Sequence, residues 1–329
     1  MIRKSFSTRL TWFISALLLL TIVTIIVKEF VIDNNSIYVG KPVESIAFNP
    51  DGKEIATISS NGPQIWSSTD HSLLKSLGDQ WGAPIVAWSP DGQLLATQGP
   101  AFTIRVWRVS TGQQIYALSG HSGSINSIAW SVDGNMLVSG SDDHTVRLWD
   151  TSSRTAKYIL QGHKDQVTCV AISSDSQLIA SGSVDRSIRF WSVRDGQLLK
   201  SLSTDQIVST IAFSPDGRSL AAGVGNKADI FRVSDGIKMK SLDHDDWINS
   251  LVFSPDGRFL ATGTGIKDTE VSVKNTKIRL WSTNDGFLVK VLSGNYDSVT
   301  SVVFSPDGHV LAAGSWDGVV RLWQVETIK

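Results

Sequence analysis

His121, Ser139 and Asp143 are the residue types of an activated nucleophile: a hydroxyl, an imidazole to take its proton, and a carboxylate to orient the ring. His163, Ser181 and Asp185 repeat that order at the same spacing, and Trp149 and Trp191 follow the two sets at matching positions. Repetition points to architecture. A nucleophile must be accessible, with its own base and oxyanion site, and serial copies at one register position serve packing instead. Arg105, Arg147, Arg189, Arg279 and Arg321 are equally periodic, so they read as stems lying along strands with locally paired heads, not as a nucleic-acid stripe. Gly223-Val224-Gly225 and Gly263-Thr264-Gly265 complete neither a G-x-G-x-x-G nor a Walker pattern and open no helix, so both read as turns. The six histidines show no metal spacing, and the single cysteine, Cys169, excludes an intrachain disulfide and a Cys-built zinc cluster. No catalytic residue, metal or cofactor is expected.

The elements that place these residues follow from a turn. Asp51, Asp91, Asp133, Asp175, Asp216, Asp256 and Asp307 mark seven tight turns, most of them Ser-Pro-Asp-Gly, at intervals of 40, 42, 42, 41, 40 and 51 residues. Pro pre-sets one dihedral, Asp bonds back to the backbone, and Gly accepts positive φ. Alternating apolar residues precede each turn and β-branched residues follow it, which is the signature of strands. A fixed period near forty residues identifies a repeat protein.

The Gly-His pair, the Ser-Pro-Asp-Gly turn, the Ser-Gly-Ser step and the Val-Arg-Leu-Trp-Asp ending (Gly120 to Asp150 carries all but the proline) resemble WD repeats over residues 36–329. The resemblance implies an all-β fold, a seven-bladed β-propeller of four-stranded antiparallel blades, with strands a to d running outward from a central channel. It implies that the histidine, the strand-b Ser or Thr, the b–c loop Asp and the strand-c Trp form a buried hydrogen-bonded set. His121, Ser139, Asp143 and Trp149 match it in blade three, and His163, Ser181, Asp185 and Trp191 in blade four. Blade six keeps His244, Thr262 and Trp281, blade one Thr57 and Trp66, and blade two Thr97 and Trp107, with Asp79 at the histidine position. Blade seven keeps Asp317 and Trp323 but has Asn295 and Ala313, and blade five has Thr204, Ala222 and Phe231. The last repeat ends without an outer strand, so the segment around 36–39 is expected to close blade seven and remove an exposed edge.

The amino terminus differs in kind. After a basic segment at 1–9, residues 10–27 are uncharged and as a helix would span about 27 Å, enough to cross a bilayer. The expectation is therefore one N-terminal transmembrane helix, a signal anchor, followed by a linker at 28–35. Clustered positive charge before it puts the N-terminus in the cytoplasm and the propeller on the extracytoplasmic side. The alternatives are reversed topology and secretion after cleavage. The tether from Lys28 to Ser36 would reach at most about 26–29 Å and hold the propeller near the membrane. A formal net charge of -1 removes any long-range pull toward nucleic acid.

Two features remain as functional candidates. The longest interval places an insertion between Gly263 and Lys277, in the b–c loop of blade six, with Ile266, Lys267 and Glu270 as contact residues. The second is a set of aromatics that the repeat does not require: Trp81, Phe102, Trp247, Tyr296 and Trp316, all in loops of the b–c and d–a face. The resulting reading is a membrane-anchored, non-catalytic scaffold that presents this face to a partner protein. The alternative is a small-molecule or glycan-binding propeller, or a hydrolase, using the channel mouth, where Asp243, His244, Asp245 and Asp246 offer a polar cluster.

Overall fold

A strand with alternating burial cannot stand alone, because one face must be covered; in this chain the covering surface is the next copy of the same sheet. A computed structural model describes residues 35–78, 85–265, 276–294 and 297–325. Among the described residues, 28 strands form seven four-stranded sheets. Blade three is typical: strand a is Ile125–Trp130, b is Met136–Ser141, c is Thr145–Asp150 and d is Thr155–Gln161. All pairings within it are antiparallel. The a–b turns therefore lie at one end of the blades, and the b–c and d–a loops at the other.

In blade seven the order is Ser36–Tyr38, Val319–Gln324, Val310–Ser315, Val299–Phe304, so an early segment of the chain lies beside the last strand. Val39 N–H donates to the Gly318 carbonyl at 2.9 Å beside it.

The core sits between blades. Val138, Val146 and Leu148 of blade three pack with Val167, Val170, Ile179 and Trp191 of blade four, and a comparable cluster fills each junction. The a–b turn behaves as its residues dictate. Ser131 Oγ donates to Asp133 Oδ1 at 2.5 Å while Gly134 takes φ 72°. In blade four Ser176 holds the same corner at φ 55°, a conformation unfavourable for a residue with a side chain.

Two expectations are corrected. No helix among the described residues is long and apolar enough to cross a membrane; their one helical element is the 3-10 turn Pro100–Phe102. The fold class shown is the all-β seven-bladed propeller, and the described residues add no transmembrane helix to it. The single-pass localisation falls with it, as does the argument that a tether holds the propeller near the membrane. Residues 1–9, 10–27 and most of 28–35, on which those readings rested, lie outside the described residues. The chain divides at Ser36/Ile37, and the architecture given above is that of the unit that follows.

Candidate functional site: the loop face and the channel mouth

The Ser-His-Asp sets come together in space. In blade three His121 Nδ1 stands 2.7 Å from Asp143 Oδ2, and its Nε2 stands 2.8 Å from Ser139 Oγ. Burial pushes the His121 imidazole below its ordinary value despite the neighbouring carboxylate, so the neutral ring donates from Nδ1 and accepts at Nε2. Burial works to raise the Asp143 carboxyl, but hydrogen bonds from Thr145, His121 and Ser122 outweigh it and hold it at about 2. Trp149 Nε1 donates to the same Ser139 Oγ at 2.8 Å. That polarity matches a hydrolase triad, yet Ser139 is 0 % exposed and gives a lone pair to an indole, so no substrate carbon can approach it.

Blade four repeats the geometry, with His163 at 2.9 Å from Asp185, 2.7 Å from Ser181, and Trp191 donating to Ser181 at 2.9 Å. Blade six differs. His244 Nε2 faces Thr262 Oγ1 at 2.8 Å, but Nδ1 donates to the Leu242 carbonyl at 2.9 Å, and burial lowers this histidine to about 4. In blades one and two the indole bonds recur among the described residues, Trp66 to Thr57 and Trp107 to Thr97, both 2.9 Å. Burial likewise pushes the Cys169 thiol up to about 12, leaving it inert.

In blades three to seven a bulge at the second residue of strand a turns one side chain into the central channel. Asn126 Nδ2 donates to the Val167 carbonyl at 3.0 Å, Thr168 to Val208, Ser209 to Ile248 at 2.5 Å, Asn249 to Val299 at 3.1 Å, and Thr300 to Val43 at 2.7 Å. Each bond ties a blade to the first residue of the next. Glu44 occupies the corresponding place in blade one, as its pairing register shows. These groups line a cavity of about 440 Å³ that also includes Asp142, Gln166 and Trp316.

The aromatics are placed as follows. Trp316, in the b–c loop of blade seven, lines the channel mouth and is half-buried. Trp247, in the d–a loop entering blade six, is 44 % exposed, and Phe102, in the b–c loop of blade two, is 41 % exposed. Phe102 has φ 58° and Ala101 φ 52°, consecutive left-handed residues, neither a glycine. The structure places these three on one face. Trp81, Tyr296, Ile266, Lys267 and Glu270 lie outside the described residues, as do Asp79 and Asn295. The Asp243 to Asp246 cluster does not converge on the channel wall. His244 is buried, and Asp245, lowered by hydrogen bonds and charge from Lys277 and Arg279, pairs with Arg279 Nη2 at 2.6 Å. Among the described residues no group of three or more His, Cys, Asp or Glu is arranged to hold a metal ion.

The channel wall was not singled out from sequence. Its signal is the small polar residue directly after a β-branched apolar one at the start of strand a, as in Ile125-Asn126 and Val167-Thr168.

The WD40 family (WD domain, G-beta repeat) matches residues 112–150, 154–192, 196–229, 236–282 and 286–324, together more than half of the chain. The chain belongs to this family. Among its relatives, the Periodic tryptophan protein 2 homolog of Neurospora crassa is 41 % identical over 54 residues, 16 % of this chain and 6 % of that protein. Transducin beta-like protein 3 of Bos taurus is 33 % identical over 58 residues, covering 18 % and 7 %. Protein ROOT INITIATION DEFECTIVE 3 of Arabidopsis thaliana is 46 % identical over 48 residues, covering 15 % and 11 %. Each alignment spans little more than one repeat, so the likeness carries the WD repeat itself and a small fraction of each relative's length.

Proposed function

We propose that this WD-repeat propeller is a non-catalytic protein-interaction scaffold whose b–c and d–a loop face receives a partner protein. The observation that carries the reading is Phe102. A bulky aromatic is held in a left-handed conformation and left 41 % exposed, on the same face as the 44 % exposed Trp247. Backbone strain with an exposed apolar ring is a poor solution for stability and a good one for presenting a contact. The closed ring of blades fixes the loops, so little ordering entropy opposes docking. Trp247→Ser combined with Phe102→Ser should abolish partner capture while leaving the unfolding midpoint nearly unchanged. Undiminished capture by the double variant would sink the reading.

A second reading rests on the channel cavity of about 440 Å³, with Trp316 at its mouth and the polar ring of Asn126, Thr168, Ser209, Asn249 and Thr300. That lining suits a polar small molecule or a glycan. Saturable quenching of indole fluorescence by a sugar, lost in Trp316→Phe, would favour it over the scaffold.

A further inference from the structure

Blade five breaks the repeat in a concerted way. Ser203-Thr204 stands where Gly120-His121 and Gly162-His163 enter the two preceding blades, and Ala222 stands where Ser139 and Ser181 do. Phe231 replaces the tryptophan, and Asp229 falls in the register of Arg147, Arg189, Arg279 and Arg321. The charge in that column is reversed in this blade.

The sister blades show what the column holds. Arg147 Cζ lies 5.8 Å from the centroid of the Trp149 ring, and a Cβ on Gly120 would come within 2.4 Å of Arg147 Nη1. The guanidinium thus lies between the strand-c aromatic and the loop entering the blade. In blade six Arg279 Nη2 reaches Asp245, the residue after His244 in that loop, at 2.6 Å. Blade five keeps the equivalent acidic residue, Asp205, one residue after Thr204, but it has lost the guanidinium. In its place is a notch of about 340 Å³ between blades four and five, walled by Ser203, Thr204, Asp205, Asp229, Phe231 and Lys238.

Asp229 is 2 % exposed, and its carboxylate accepts from Ser241 Oγ at 2.5 Å and from Lys238 Nζ at 3.0 Å. Lys238 Nζ also lies 4.0 Å from Asp205 Oδ2, and its side chain is 42 % exposed. Two carboxylates face one ammonium, which leaves one negative charge over. The ammonium is a flexible point charge, whereas the place it fills is shaped in the other blades for a planar fork.

We propose that this notch binds an arginine side chain presented by a partner protein. The incoming guanidinium takes the place that blades three, four and six fill from their own chain. It donates to Asp229 and Asp205, covers the Phe231 ring, and displaces the Lys238 ammonium toward solvent. The site lies at the junction of blades four and five and does not involve Trp247, Phe102 or Trp316, so it stands or falls apart from the loop-face reading.

The test is an amide NMR titration of the full chain with N-acetyl-arginine amide, using the neutral isostere N-acetyl-citrulline amide as control. Arginine amide should shift Ser203, Thr204, Asp205 and Phe231, saturating in the millimolar range, while the Trp247 indole stays still. Citrulline amide should shift none of them. Lys238→Met should tighten binding at least about fivefold by removing the competitor, and Asp229→Asn should abolish it. Asp229→Arg, which refills the notch from within, should fold and also lose binding, which separates loss of the site from loss of the fold. Equal shifts with citrulline, or no gain in Lys238→Met, would overturn the proposal and leave Lys238 as a plain internal substitute for the missing arginine.

Discussion

Lys200 Nζ, on the outer strand of blade four, donates to the Val233 carbonyl of blade five at 2.9 Å. The same reach recurs around the rim: Lys75 to Val109 at 2.6 Å, Lys240 to Thr283 at 2.5 Å, and the Tyr158 hydroxyl to Arg194 at 2.9 Å. With the channel-side bonds from Asn126, Asn249 and Thr300, neighbouring blades are stitched at both their inner and outer edges. Lys200→Met keeps the apolar stem and removes the donor. It should cost about 1–2 kcal/mol, the worth of a charge-assisted bond that is part-exposed. Urea unfolding with an unchanged m-value checks this, and a variant as stable as the parent would reduce the clamp to decoration.

Ser139→Ala removes an acceptor for Trp149 Nε1 and a donor for His121 Nε2 in a site closed to water. Two buried polar atoms lose partners, so the loss should be roughly 2–4 kcal/mol. The same change at a surface serine such as Ser152 should stay within about 0.5 kcal/mol. Comparable losses at the two sites in chemical denaturation would contradict the buried-set account.

Acid should destabilise the ring in two stages. His121, His163 and His244 are depressed by burial, His244 from 6.5 to about 4. A depressed folded value means the unfolded chain binds protons first, so this stability is present above 6.5 and is lost as pH falls toward 4. Asp143 and Asp185 are held at about 2 against 3.8, and their contribution goes between those values. Denaturation midpoints should fall steadily from pH 7 to 4 and again below 3.8, with a shallower first stage in His244→Gln. A flat profile down to pH 4.5 would refute the burial of neutral histidines.

Phe102→Gly relieves a left-handed bulky residue, which costs about 1–2 kcal/mol, against the glycine's greater loss of backbone entropy. Thermal stability should hold or rise by about 0.5 kcal/mol. A loss above about 1 kcal/mol would show that the ring serves packing instead of contact.

The blades were legible because each is specified locally: a Pro-Asp-Gly corner and alternating strands need no knowledge of distant residues. Trp149 and Trp191 could be placed by resemblance, since the repeat supplies their positions. The channel wall was hidden because a bulge at Asn126 and Thr168 changes which way a strand residue points, and alternation cannot report that. The clamps at Lys75 and Lys200 were hidden because their partners are backbone carbonyls about 35 residues away. Asp229 was visible as a break in the arginine column, but its meaning needed Asp205 and Lys238 beside it. The hydropathy of residues 10–27 taken by itself reads as a membrane span. That reading finds no support in a structure whose described residues contain no such helix.

The central claim is that the b–c and d–a face binds a partner and the a–b face does not. Photocrosslinking with a reactive residue at Trp247, against a control at Asp175, tests it most directly. The account predicts discrete adducts to one protein from position 247 alone, lost when Phe102 is also replaced by serine. Equal, diffuse labelling from both positions would contradict it.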